Sequence, residues 1–256
     1  MNNRRTNASA RSTAVARKSG RRAAARPARR RPSESVAARK ARAARILAGL
    51  RAHYPDARCA LTHRSALELL AATILSAQCT DQRVNLVTPA LFARYRGAAD
   101  FAAADPAELQ ELIRSTGFFR NKARSLIGMG RVLCDEFGGK VPQTMPALLR
   151  LPGVARKTAN CVLGTWFEKN EGVVVDTHVG RIALRLSLAP SARNDKDAVR
   201  IENDLMSLFP RESWTFLSHA MIDHGRSICT ARKPACDRCP LRAECPSADS
   251  LTQDDS

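Results

Sequence analysis

The chain has 256 residues, 42 Lys/Arg against 24 Asp/Glu and a net charge of +18. That length admits one large domain or two small ones with a real core. There is no run of about 18 apolar residues, so a membrane is not expected among its partners.

The charge is unevenly spread. Residues 1–45 hold 15 Lys/Arg and a single acid, Glu34, which makes +14, whereas the other 211 residues hold 27 and 23, which makes +4. The N-terminal stretch is rich in Arg, Ala and Ser and has no aromatics. Residues 1–37 are therefore expected to be a disordered basic tail, and a nucleic-acid-binding arm is the sharper reading of such a charge block. The tail lacks the apolar run of a secretory signal. The expected location is the cytoplasm, and organelle or nuclear targeting by the Arg/Ser-rich tail is the alternative.

A helix is expected near 38–52. From residue 65 the pattern stays helical. Ser65-Ala66-Leu67-Glu68 reads as a capping box that opens a helix with Leu67, Leu70, Ala71, Ile74 and Leu75 on one face, and Gln78 continues that spacing. Asp105-Pro106-Ala107-Glu108 starts another helix, which stops near Gly117. The next places Ala123, Leu126, Ile127, Gly130, Leu133/Cys134 and Phe137 on one side and ends at Gly138-Gly139. Thr144 caps a short helix through Arg150. Val173-Val174-Val175 is the one strand-like run and is too short for a sheet. Asp176 reads as the N-cap of a helix with Val179, Ile182, Ala183 and Leu186 inward, and two further helices follow at about 196–209 and 214–224. The fold class is all-α.

Between these elements, LPGVARKTANCVLGTWF (151–167) reads as a helix–hairpin–helix: Pro152 stops the first helix, Gly153 allows the turn, and the second helix offers its first N–H groups outward, as suits a phosphate oxygen. Lys157 falls in the first turn of what reads as a buried helix. The positive end of a helix dipole disfavours an ammonium there. The residue is expected either to face an anion or to act as a neutral, nucleophilic amine. The adjacent phenylalanines of Gly117-Phe118-Phe119 cannot both face one core, so one is expected to be exposed.

Eight cysteines divide into two groups. Cys59, Cys79, Cys134 and Cys161 are scattered and read as buried small hydrophobes. Cys229-x6-Cys236-x2-Cys239-x5-Cys245 crowds four thiols into 17 residues, which suits zinc or an iron–sulfur cluster rather than disulfides. Arg232 and Lys233, between the first two ligands, would present charge to a phosphate backbone.

Several of these stretches together resemble the endonuclease III family of helix–hairpin–helix DNA glycosylases. Leu151–Ala159 resembles its hairpin, Val174-Val175-Asp176-Thr177-His178 its aspartate segment, Leu75-Ser76-Ala77-Gln78-Cys79-Thr80-Asp81 its glutamine-bearing loop, and the cysteine spacing its [4Fe–4S] loop. The likeness covers about residues 40–247. It implies two helical domains, residues 59–169 with the hairpin and residues 38–58 plus 170–247 with the [4Fe–4S] cluster, a DNA groove between them, and a disordered tail at 248–256. It implies a monomeric enzyme on nucleoid DNA, acting on duplexes with damaged bases or abasic sites. Oxidised pyrimidines would be flipped out and excised, and the abasic site cleaved by β-elimination through a Schiff base on Lys157, with Asp176 stabilising charge at the sugar. Gln78 would fill the gap left by the flipped base, Phe118 would wedge between bases, and Gly153, Ala155 and Arg156 would contact DNA at the hairpin. Two positions depart from the family: Ala155 replaces a usual glycine, and Phe119 a frequent tyrosine. A monofunctional glycosylase of the adenine-mismatch type is the first alternative; Lys157 argues against it, as does the lack of a large domain after Cys245. A non-catalytic DNA-binding protein would leave Lys157 and Asp176 unexplained.

Overall fold

The computed structural model describes residues 34–252, so most of the expected basic arm, at residues 1–33, lies outside the described residues. The first helix, α1 (Val36–His53), starts inside the expected tail because Ser35 caps it, its Oγ accepting the N–H of Ala38 at 3.1 Å. Ala43, Ile46, Leu47 and Leu50 form its buried face. Two arginines counted with the tail's charge also belong to the folded body. Arg42 donates to the carbonyls of Leu186 (2.7 Å) and Glu244 (3.1 Å), and Arg45 pairs with the Glu244 carboxylate.

Ser65 caps α2 (Ala66–Leu75) as expected, but the capping box is displaced: Glu68 reaches back to the N–H of Arg64 at 2.6 Å rather than to that of Ser65. Nor is α2 one-sided. Every residue from Leu69 to Leu75 is buried, which makes α2 a central helix. It ends at Leu75, and Gln78 sits past it in a turn rather than on its face. Two helices without a counterpart in the sequence reading follow: α3 (Asp81–Arg94), capped by Thr80 and carrying Pro89 inside, and α4 (Ala98–Ala102). Asp105 caps α5 (Pro106–Leu112), and a 3-10 turn at Arg114–Thr116 leads through Gly117 to α6 (Phe119–Phe137). Gly130 of α6 lies so close to α4 that a Cβ there would come within 2.6 Å of the Ala102 nitrogen.

Thr144 precedes α7 (Met145–Leu148) and makes no side-chain cap bond; the helix stops before Arg150. The hairpin turn leads to α8 (Arg156–Trp166). Val173–Val175 is buried but joins no ladder; the Val174 N–H bonds instead to Ser218 Oγ at 2.9 Å. Asp176 caps α9 (Thr177–Arg185), with Val179, Ile182, Ala183 and Leu186 buried. Then come α10 (Ala198–Leu208), α11 (Trp214–Ser227) and, after the cysteine loop, α12 (Ala248–Thr252). That last helix corrects the expected disordered tail from residue 248. Ala248 is buried, and Leu251 closes one side of the cavity the cysteines surround, a tertiary role that one turn of sequence does not announce. Among the described residues there is no strand and no helix long and apolar enough to cross a membrane.

The apolar side chains form two cores. One runs from Leu61 to Leu163 and takes in α2 to α8. The other combines α1 with Val173 to Leu241. The chain thus starts in the second core, builds the first, and returns at Val173.

Candidate active site

The hairpin positions the first candidate residues. Gly153 has φ +81°, and a Cβ on it would lie 2.7 Å from Ser125 Cβ, so both conformation and space require glycine. Ala155 takes ordinary extended backbone (φ −99°, ψ 172°) with its methyl exposed, so the departure at this position leaves the turn intact. No side chain caps α8. Arg156 is exposed and makes an ion pair that the sequence does not announce. Its Nε bonds both carboxylate oxygens of the nearly buried Glu202 (3.0 and 2.9 Å), which Asn160 also holds at 2.8 Å. That bond turns the guanidinium toward α10 and raises its already high pKa.

Lys157 corrects one expectation. The buried face of α8 is Ala159–Gly164, while Lys157 itself is exposed. Its side chain lines a pocket between the two cores together with Asp176, Ser76, Asp81 and Arg226. Asp176 is half-buried, and its Oδ1 accepts the N–H groups of His178 (2.8 Å) and Val179 (2.9 Å). The cap bonds therefore fix the direction of a carboxylate that also faces the lysine's pocket. From α11 come His219, which burial pushes down to about 4, and Asp223, which burial pushes up. Arg226 Nη2 meets Asp81 Oδ2 at 2.6 Å, an ion pair from α11 to α3 beside Lys157.

Gln78 lines the same pocket, exposed and left-handed (φ +53°). Phe118 is also left-handed (φ +49°) and 61% exposed, whereas Phe119 packs on the first core. Both loops hang from Lys122. This buried lysine donates from Nζ to the carbonyl of Leu75, three residues before Gln78, and to that of Thr116, two before Phe118, each at 2.7 Å. Burial lowers its pKa, and the two carbonyls supply the partners its ammonium needs.

The four C-terminal cysteines line one cavity with Ile182, Leu186, Ile228 and Leu241. Among the described residues no three ligating side chains converge closely enough for a single metal ion. The four thiols instead share one largely apolar lining, and their Cys-x6-Cys-x2-Cys-x5-Cys spacing lacks the two short knuckles of a zinc site, which suits an iron–sulfur cluster better. Burial raises Cys236, Cys239 and Cys245, and the charges of neighbouring cysteines raise them further; four thiolates held here need a compensating metal. Arg185 donates to Cys229 Sγ at 3.2 Å and to the carbonyls of Thr230 and Ala231, anchoring the loop on which Arg232 and Lys233 stand exposed.

Asp81, Lys122, His219, Asp223 and Arg226 carry no expected role from sequence. The last three were readable: at i, i+4 and i+7 they form a polar stripe along one side of a helix that buries Leu217, Ala220 and Met221. Lys122 carries no such signal.

Residues 71–211 match the HhH-GPD superfamily base excision DNA repair proteins, and residues 229–245 match the iron–sulfur binding domain of endonuclease III. The chain is 53% identical over 213 residues to the endonuclease III of Synechocystis sp., which covers 83% of this chain and 95% of the relative. It superposes on a non-covalent endonuclease III–DNA complex with a TM-score of 0.78 at 41% identity, covering 84% of this chain and 98% of that one. A trapped endonuclease III–DNA covalent intermediate matches it with the same TM-score and identity.

Proposed function

Because this chain belongs to the endonuclease III family, base-excision-repair DNA glycosylases and abasic-site lyases that carry a [4Fe–4S] cluster, we propose that Lys157 is its nucleophile and Asp176 the carboxylate that supports it. The observation that carries this reading is their convergence on one pocket between the two cores. The expected lesions are oxidised pyrimidines in duplex DNA. The protein acts as a monomer and resides on nucleoid DNA in the cytoplasm, consistent with its charge of +18.

A base inside a duplex is out of reach, so the nucleotide is flipped into the pocket. The Lys157 nitrogen bonds to C1′ through its lone pair as the glycosidic bond breaks; the base leaves with the electron pair and takes up a proton. Positive charge gathers on the sugar in the transition state, and the Asp176 carboxylate, aimed by its cap bonds, stabilises it. Loss of the amine proton and opening of the sugar ring give a Schiff base. Removal of a 2′ proton then expels the 3′ phosphate and nicks the strand. Gln78, which lines the pocket, and Phe118, exposed at the start of α6, each held in a left-handed conformation, fill the gap and separate the bases. Gly153, Ala155 and the open N-terminus of α8 meet a phosphate, and Arg232 and Lys233 meet another. Cys229, Cys236, Cys239 and Cys245 hold the cluster, which supplies the charge compensation and cross-linking that shape this loop.

Incubation with borohydride and DNA containing an abasic site or thymine glycol tests the reading. The wild-type chain should become covalently attached, and Lys157→Ala should fold but fail to attach. Undiminished attachment of Lys157→Ala would remove Lys157 as the nucleophile.

A further inference from the structure

Two thiols in the lysine pocket have no part in the chemistry above. Cys161 lies one helical turn beyond Lys157 on α8, and Cys59 comes from the segment between α1 and α2. Both line the pocket, close enough that each is the largest influence on the other's thiol. Cys161 is buried and Cys59 half-buried, with the Thr73 hydroxyl 3.9 Å from Cys161 Sγ. The two are unequal. The neighbouring Cys59 thiol, then the Thr73 and Thr165 hydroxyls, and the nearby charge of Lys157 outweigh burial and bring the Cys161 thiol down to about 7. Cys59, which keeps the shared proton, is pushed far up. Inert core cysteines, the reading their scatter in the sequence suggests, would be buried apart in apolar surroundings with raised thiols. Here a thiolate-prone sulfur faces a protonated partner at the wall of a solvent-connected pocket, the arrangement that thiol–disulfide chemistry needs.

We propose that Cys59 and Cys161 form a redox-active pair, a modification site for hydrogen peroxide in the wall of the pocket that holds Lys157. The Cys161 thiolate attacks one peroxide oxygen, the O–O bond breaks, and the departing hydroxide takes a proton to become water, leaving a sulfenic acid. The Cys59 sulfur gives up its proton and attacks that sulfur; the S–O bond breaks and a second water departs. Two thiols and one peroxide thus become one disulfide and two waters, with two electrons passing from sulfur to oxygen. The two sulfurs close to a bond of about 2.05 Å. The new bond ties the segment before α2 to α8 one turn from the lysine and reshapes the pocket there.

The test uses the full-length, cluster-loaded protein, treated with hydrogen peroxide and quenched with catalase. Remaining thiols are alkylated in acid denaturant, and the digest is read by mass spectrometry. Expected is a Cys59 peptide joined to a Cys161 peptide, lighter by two hydrogens and separated again by dithiothreitol. Borohydride trapping on abasic DNA should fall by about 10²-fold, the cost of an ångström-scale misplacement of a reacting group, and recover with dithiothreitol. Cys59→Ser should give no linked peptide and a sulfenic acid at Cys161 that dimedone captures. The proposal is overturned if Cys59 and Cys161 remain alkylatable at peroxide doses that oxidise other thiols, or if they link with trapping undiminished. The mass readout holds whether or not Lys157 is the nucleophile.

Discussion

Asp176 caps α9 and, in the function proposed for it, also stabilises charge at the sugar, and a single substitution separates the two. Asparagine caps a helix about as well as aspartate, so Asp176→Asn should keep the bonds to His178 and Val179, the fold and DNA affinity. It loses the charge, and single-turnover base excision should slow by about 10²-fold or more. Excision at the wild-type rate would leave Asp176 as a cap alone. His219 makes a prediction about pH. Unfolded, it takes up a proton near 6.5, and folded only near 4, because burial disfavours its cation. Between those values the unfolded chain binds more protons. Stability present above pH 6.5 is therefore lost as the pH falls toward 4, on the order of 3 kcal/mol in all. Denaturant titrations at pH 7 and 4.5 should show that loss, and His219→Gln should lessen it; equal losses in both proteins would exclude His219 as the source.

Among the helices, legibility followed local signals. Asp105-Pro106 and Asp176 each mark a helix start by a side chain that caps it, and α6 and α9 show one clean apolar face. α3 escaped because Pro89 interrupts the pattern and its polar residues outnumber the four it buries. α12 escaped because its reason for folding is a cavity built by other parts of the chain. The site divides in the same way. Lys157, Asp176 and the four cysteines lie in motifs compact enough to read, whereas Lys122, the Asp81–Arg226 pair and the Cys59–Cys161 contact join residues far apart in sequence. The exposure of Lys157 was also hidden, because a buried helix still has an outer face. The cysteine loop has little apolar content of its own, so removing its iron should free the loop and α12 together, with α2 to α8 unaffected. Hydrogen exchange should rise across 229–251 and stay unchanged in the first core. Unaltered protection of 229–251 in the iron-free protein would mean that Arg185 and the apolar lining suffice to hold it.

For the molecule as a whole, charge and fold are largely separate. Of the 15 Lys/Arg in residues 1–45, 11 precede Ser35 and four lie on α1. Deleting residues 1–33 keeps the Ser35 cap and removes those 11. Non-specific DNA binding should weaken, and the slope of log K against log salt should fall by roughly 2–5 units, since each neutralised phosphate contributes about 0.9 and an arm engages only some of its charges. Single-turnover excision at saturating enzyme should hardly change. An unaltered slope would direct attention to targeting or protein contacts, and a collapse of excision in a folded protein would tie the arm to the pocket. The first core holds a different kind of economy. Lys122 fastens the approaches to both Gln78 and Phe118. Two separately wandering loops would enter a duplex together only as often as the product of their individual odds. In the roles proposed for them, two residues hung from one ammonium would advance in a single stroke, and an enzyme checking base pairs in succession would interrogate each with one excursion rather than wait for a coincidence.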